Sequence, residues 1–168
     1  MMLYNIIAKL DKKLHFPVVM AHCDIPCKIY DPINAQISAL TIIRMVDLLN
    51  ELKAKASLTL DDQAQFIRLV NQKESHGIKV KEEIGVIWGD YIKTTQLTLY
   101  PELHTLVHNI MLASSQAKQH ISRESAQTLL QQVNRFAEIF WATKQVTTFT
   151  AICPYPPAEP VIYPNLQA

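Results

Sequence analysis

Apolar residues recur at alternating steps of three and four along four stretches of this chain, and each stretch follows a residue suited to start a helix. Asp31-Pro32 pairs an N-cap side chain with a proline at the first helical position, and predicts a helix to about Lys55 with Ile42, Met45, Val46, Leu49 and Leu52 on one face. Thr59 and Asp62 mark the next start. Phe66, Val70, Gly77, Val80, Ile84, Ile87 and Tyr91 follow on one stripe, about 45 Å long if unbroken at 1.5 Å per residue. Pro101 and Glu102 open a third helix through Leu103, Leu106, Ile110, Ala113 and Ala117, and Ser122 caps a fourth carrying Ala126, Leu129, Val133, Phe136 and Phe140. The chain has three glycines, none before residue 77, which argues for helices over a sheet rich in tight turns. The predicted fold is all-α, an antiparallel four-helix bundle.

Beyond Gln145 the pattern changes. Pro154, Pro156, Pro157, Pro160 and Pro164 exclude continued helix, so residues 145–168 are expected to form an extended Pro-rich arm packed on the bundle or on a neighbouring subunit. The 168 residues are 49% hydrophobic, enough for one domain with a sizeable core. A formal charge of +1 without a basic block offers nothing to nucleic acid. No apolar run approaches the roughly 20 residues of a membrane span.

The densest chemistry lies ahead of the first helix, in His22-Cys23-Asp24-Ile25-Pro26-Cys27. Two thiols, an imidazole and a turn-forming proline sit within one loop's length. Pro26 makes a tight turn, with a cis bond, plausible just before the second thiol. If the bond before His22 is cut, the loop offers an amine, an imidazole, a backbone amide and two thiolates to one ion. Sulfur and nitrogen donors in one plane suit Ni(II) or Cu(II), whereas zinc asks for a tetrahedron. Three cysteines, an odd count with CxxxC spacing, make no disulfide framework and fit a reducing, cytoplasmic setting, with Cys153 the unpaired one.

The string HCDIPCKIYDP resembles the nickel hook of nickel-containing superoxide dismutases, whose mature chains begin at the histidine and usually read HCD-x-PCG-x-YDP. Trp88-Gly89-Asp90-Tyr91-Ile92-Lys93, Tyr100-Pro101-Glu102-Leu103-His104-Thr105-Leu106 and Phe140-Trp141-Ala142-Thr143-Lys144 look like the same family in the same order. The resemblance runs from about His22 to Lys144. It implies that His22 supplies the amine and an axial imidazole, Cys23 an amide nitrogen and a thiolate, and Cys27 the second thiolate. It also implies that Tyr30 and Tyr91 guard the open face of the metal and that Lys93 and Lys118 favour approach of an anion. The implied activity is disproportionation of superoxide to oxygen and hydrogen peroxide by Ni(II)/Ni(III) cycling, with superoxide as substrate, in a homo-oligomer of six bundles. Residues 1–21 read as a propeptide, because Asp11, Lys12, Lys13 and His15 interrupt any secretory apolar core. A processing protease would then create the amine ligand, and residues 22–144 form the hook and bundle.

The chain departs from the family at three positions. Lys28 stands where the family has glycine, a strained choice if that position needs a positive φ. Ser38 and His76 stand where a glutamate and an arginine usually orient the imidazole, and losing such partners typically weakens affinity or activity by about 10- to 100-fold. These changes define the alternative, a nickel-binding helical assembly with little or no catalysis. Elsewhere, His104 and His108 lie four apart without the glutamate of an HExxH site and read as a polar pair beside the core. Lys73-Glu74 read as solvated helix surface, and Trp88, Tyr91, Phe140 and Trp141 as core or subunit contact.

Overall fold

The computed structural model describes residues 28–166. His22, Cys23, Cys27 and the expected cis bond at Pro26 lie outside the described residues, as does the proposed propeptide. The elements are α1 (Ile33–Lys53), α2 (Leu60–Val86), a π-helical turn (Ile87–Tyr91), α3 (Thr94–Leu99), α4 (Leu103–Gln119), α5 (Arg123–Thr143), β1 (Thr148–Ile152) and β2 (Pro160–Pro164).

Three of the four long helices start where their capping chemistry lies. The Asp31 carboxylate accepts from the Ile33 N–H at 2.9 Å. Thr59 and Asp62 close a full capping box at the head of α2, and Lys55 and Thr59 together hold the Asp62 carboxyl down to a pKa of about 2. The Ser122 hydroxyl accepts from Ser125 N–H at the head of α5. The helices pack in a ring: α1 on α2, α2 on α4, α4 on α5 and α5 on α1. One large core joins them, from Ala35, Ile42 and Ile43 through Val80, Ile84, Ile110, Leu129, Phe136 and Phe140. Fully burying a side chain of the size of Phe136 or Phe140 contributes about 2–3 kcal/mol. A smaller core of Leu49, Leu52 and Leu69 lies near the α1–α2 connection. Leu69, not Phe66, is buried there, and Phe66 stays 39% exposed.

Lys73 is the clearest correction to the surface pattern. Its side chain is only 2% exposed, because its stem lies between α2 and the end of α4. Its ammonium donates to the carbonyls of Ala117 (2.9 Å) and Lys118. Those carbonyls have no partner within their own helix, so a buried cation at a helix C-terminus is favourable there. Burial holds the Lys73 ammonium below its ordinary pKa range, with Lys118 acting in the same direction and Glu74 against it. Close approach of the two helices is permitted one turn later by Gly77, where an added Cβ would collide with the Lys118 stem, and where the Ser114 hydroxyl donates to the Gly77 carbonyl at 2.7 Å.

The C-terminal segment adds a two-stranded antiparallel sheet that the all-α expectation did not include. Thr148 pairs with Pro164 and Ile152 with Pro160. The prolines occupy the strand's ends and the connecting turn, where they interrupt no ladder. Gln36, 1% exposed, donates to the Ile162 carbonyl (2.8 Å) and to Asn134 (3.0 Å), and Asn134 in turn donates to the Pro160 carbonyl. Arg123 pairs with Asp47 and with Glu159 of the hairpin. The segment is therefore held to α1 and α5 by polar side chains, with Cys153 and Val161 joining the main core.

Candidate metal centre

The first described residue after Cys27 is Lys28, and its backbone lies in the left-handed region with φ 59. A lysine there carries a strain that glycine would not. Ile29 and Tyr30 follow. Ile29, Tyr30, Asn34, Glu83 and Ile87 bound a cavity of ≈ 150 Å³ between the start of α1 and the end of α2.

Tyr91 is brought to this end of the molecule by the π-turn. The Ile92 N–H reaches back five residues to the Ile87 carbonyl at 3.2 Å, a widened turn of a kind frequent at functional sites. The Tyr91 ring lies 5.7 Å from that of Tyr30 and 5.0 Å from that of Phe140. Its hydroxyl is 2.7 Å from the Thr143 hydroxyl, and the Lys144 ammonium sits 4.6 Å from the ring centroid. The two tyrosines singled out from sequence thus meet, 61 positions apart in the chain.

The lysines divide. Lys93 is exposed two residues past Tyr91, and its ammonium reaches the Gly89 carbonyl at 3.3 Å. Lys118 instead packs beside Gly77 and pairs with Glu74 at 3.8 Å. That level of α2 is about 20 Å from Tyr91 at 1.5 Å per residue. Ser38 is buried on α1. His76 donates from Nδ1 to the Gln72 carbonyl of its own helix at 2.7 Å. His104 accepts from the Trp88 indole at 3.2 Å, and Trp88, 38% exposed, is not core.

Sequence reasoning passed over Thr143 and Lys144 as site residues, although both stand in the Phe140–Lys144 string. Their place is set by the end of α5. Gln145 adopts φ 60, its N–H meets the Ala142 carbonyl, and the Val146 N–H meets the Trp141 carbonyl. This closure stops the helix sharply and is usually made by glycine.

Among the described residues no group of three or more His, Cys, Asp or Glu side chains is placed to hold a metal ion. The donor set that the sequence offers is His22, Cys23 and Cys27, just ahead of Lys28 in the chain, two thiols with nitrogen donors that could hold a soft or borderline metal ion.

Comparison with known proteins converges on the same reading. The family model described as nickel-containing superoxide dismutase matches residues 17–144. The chain is 34% identical over 128 residues to the superoxide dismutase [Ni] of Streptomyces seoulensis, spanning 76% of this chain and 91% of that protein. It is 35% identical over the same length to that of Streptomyces coelicolor (strain ATCC BAA-471 / A3(2) / M145). Its fold is similar to a native nickel superoxide dismutase structure with a TM-score of 0.65, at 32% identity over 73% of this chain and 99% of that one. It is also similar to a nickel-containing superoxide dismutase with ligation of the oxidized state, with a TM-score of 0.64 at 35% identity, covering 74% and 99% of the two chains.

Proposed function

Because the chain belongs to the nickel-containing superoxide dismutase family, a family of nickel-dependent enzymes, we propose that it disproportionates superoxide at a hook made by His22, Cys23 and Cys27. The observation that carries this assignment to the site is the pairing of Tyr30 with Tyr91 directly after the left-handed turn at Lys28.

Removal of residues 1–21 frees the His22 amine. With Ala21 attached, that nitrogen is an amide and a poor donor. The amine and imidazole of His22, the amide nitrogen and thiolate of Cys23 and the thiolate of Cys27 hold nickel, which when bound supplies one-electron chemistry between Ni(II) and Ni(III). The net reaction converts two superoxide ions and two protons into one oxygen and one hydrogen peroxide. Tyr30 and Tyr91 narrow the approach to species of that size, and Lys93 supplies local positive charge, which matters because a net charge of +1 gives little long-range attraction.

Four long helices in a closed ring, two of their three connections short, support an antiparallel four-helix bundle. The family likeness supports a homo-oligomer of six bundles; Lys118, paired with Glu74 and remote from Tyr91 within one chain, would reach a hook only across a subunit contact. Thiolate ligands fit a reducing cytoplasm, and no described helix is long and apolar enough to cross a membrane. A non-catalytic nickel-binding assembly is not favoured, since the matched relatives are named as the enzyme.

The test is a chain beginning at His22 compared with one retaining Ala21. The first is expected to bind one nickel per subunit and accelerate superoxide decay, the second to do neither well. Joint replacement Cys23→Ala and Cys27→Ala should abolish both. Nickel and superoxide consumption that survive that double change overturn the assignment.

A further inference from the structure

We propose that Thr143 is a positioning residue that fixes the Tyr91 phenol as a hydrogen-bond donor to the end of α5, so that Tyr91 meets superoxide and water as an acceptor only. The proposal deepens the reading of Tyr91 as a residue at the nickel site and rests on it.

The argument is one of proton counting. A threonine hydroxyl has one hydrogen. The Thr143 Oγ1 lies 2.6 Å from the Phe140 carbonyl oxygen, which can only accept, so the hydrogen of Thr143 is spent there. The 2.7 Å contact with Tyr91 is then made by the tyrosine's proton, with Thr143 accepting. What remains on the phenol oxygen is lone-pair density.

Both partners are held. Tyr91 is carried by the π-turn, and its ring is clamped between Phe140 and Tyr30. Thr143 is the last residue of α5, and the closure through Gln145 and Val146 fixes the chain immediately after it. The same closure sets Lys144 over the Tyr91 ring, 4.6 Å from its centroid, and 5.1 Å from that of Phe140, a favourable contact for a cation.

Attraction and hydrogen bonding are thereby divided between two side chains. Lys144 contributes positive charge where an anion arrives. Tyr91 gives that anion no proton to bond, whereas water and hydrogen peroxide can donate to it. An arriving superoxide is drawn in without being gripped by the phenol.

Ultraviolet resonance Raman spectroscopy reads whether a phenol donates or accepts, and subtraction of the Tyr91→Phe spectrum isolates Tyr91 in the whole chain with or without nickel. A donor-only signature is expected in the unaltered protein and in Thr143→Ser, and a shift to the mixed donor and acceptor signature of a hydrated phenol in Thr143→Val. In the nickel-loaded protein, Thr143→Val should lower KM for superoxide about fivefold, the effect of one ordinary hydrogen bond gained by the anion, while Thr143→Ser keeps KM near that of the unaltered protein. A Tyr91 signature without donor character in the unaltered protein overturns the proposal even if Thr143→Val fails to fold. So does a Thr143→Val protein with an unchanged signature or unchanged KM. Absence of superoxide decay in the unaltered, nickel-loaded protein would instead strike the assignment of function, and the spectrum would still decide the hydrogen bond.

Discussion

The helical body and the C-terminal hairpin are stabilised in opposite ways. Residues 33–143 bury apolar stripes against one another, and their sequence similarity to the dismutase family extends through them. The hairpin at 148–164 lies outside that match. It contributes Cys153 and Val161 to the core but is otherwise clasped by Gln36, Asn134 and Arg123 reaching out from the helices. The family match therefore covers the body, and the hairpin is an addition to its flank. The contrast also shows that a polar residue on a helix can be as deeply committed as an apolar one when its partner is another segment's backbone.

The strongest way to break this contrast is inside the body. Lys73→Ala removes the only ammonium seen on the Ala117 and Lys118 carbonyls among the described residues and leaves a cavity where its stem lay; a loss of about 3 kcal/mol is expected, read as a lowered midpoint in urea. Lys73→Met, which keeps the stem, should recover part of it. Truncation after Val146, which keeps the closure of α5, should have a smaller effect, about 2 kcal/mol from uncovering the helix flank, with helical circular dichroism and superoxide decay retained. Loss of superoxide decay on truncation, with helical content and nickel binding intact, would mean that the hairpin belongs to the chemistry after all. At the junction, Gln145→Gly should raise stability by about 0.5–1 kcal/mol, since glycine takes φ 60 without strain, and thermal unfolding would show it.

Local signals made the body legible. Asp31, Thr59 and Ser122 each announce a helix within a few residues of its start, and the apolar spacing names most of the core. Lys73 was not legible, because its partners are carbonyls 44 and 45 positions away and nothing in its neighbourhood marks it as buried. The hairpin was masked by its prolines, which argue against a sheet until pairing shows them at the strand ends and turn. The Thr94–Leu99 helix is too short for periodicity to reveal. At the tyrosine pair, motif resemblance singled out Tyr30 and Tyr91 but not Thr143, whose contact is with a hydroxyl 52 residues away.

The π-turn at Ile87–Tyr91 stores the position of Tyr91 in a residue count as much as in residue types. Wound as ordinary α-helix at unchanged length, the segment would turn Tyr91 and every side chain beyond it by about 100° around the axis. Tyr91 would leave Phe140 and Tyr30 with every residue still in the sequence, so the widened turn, and not the residue types alone, keeps the three rings together.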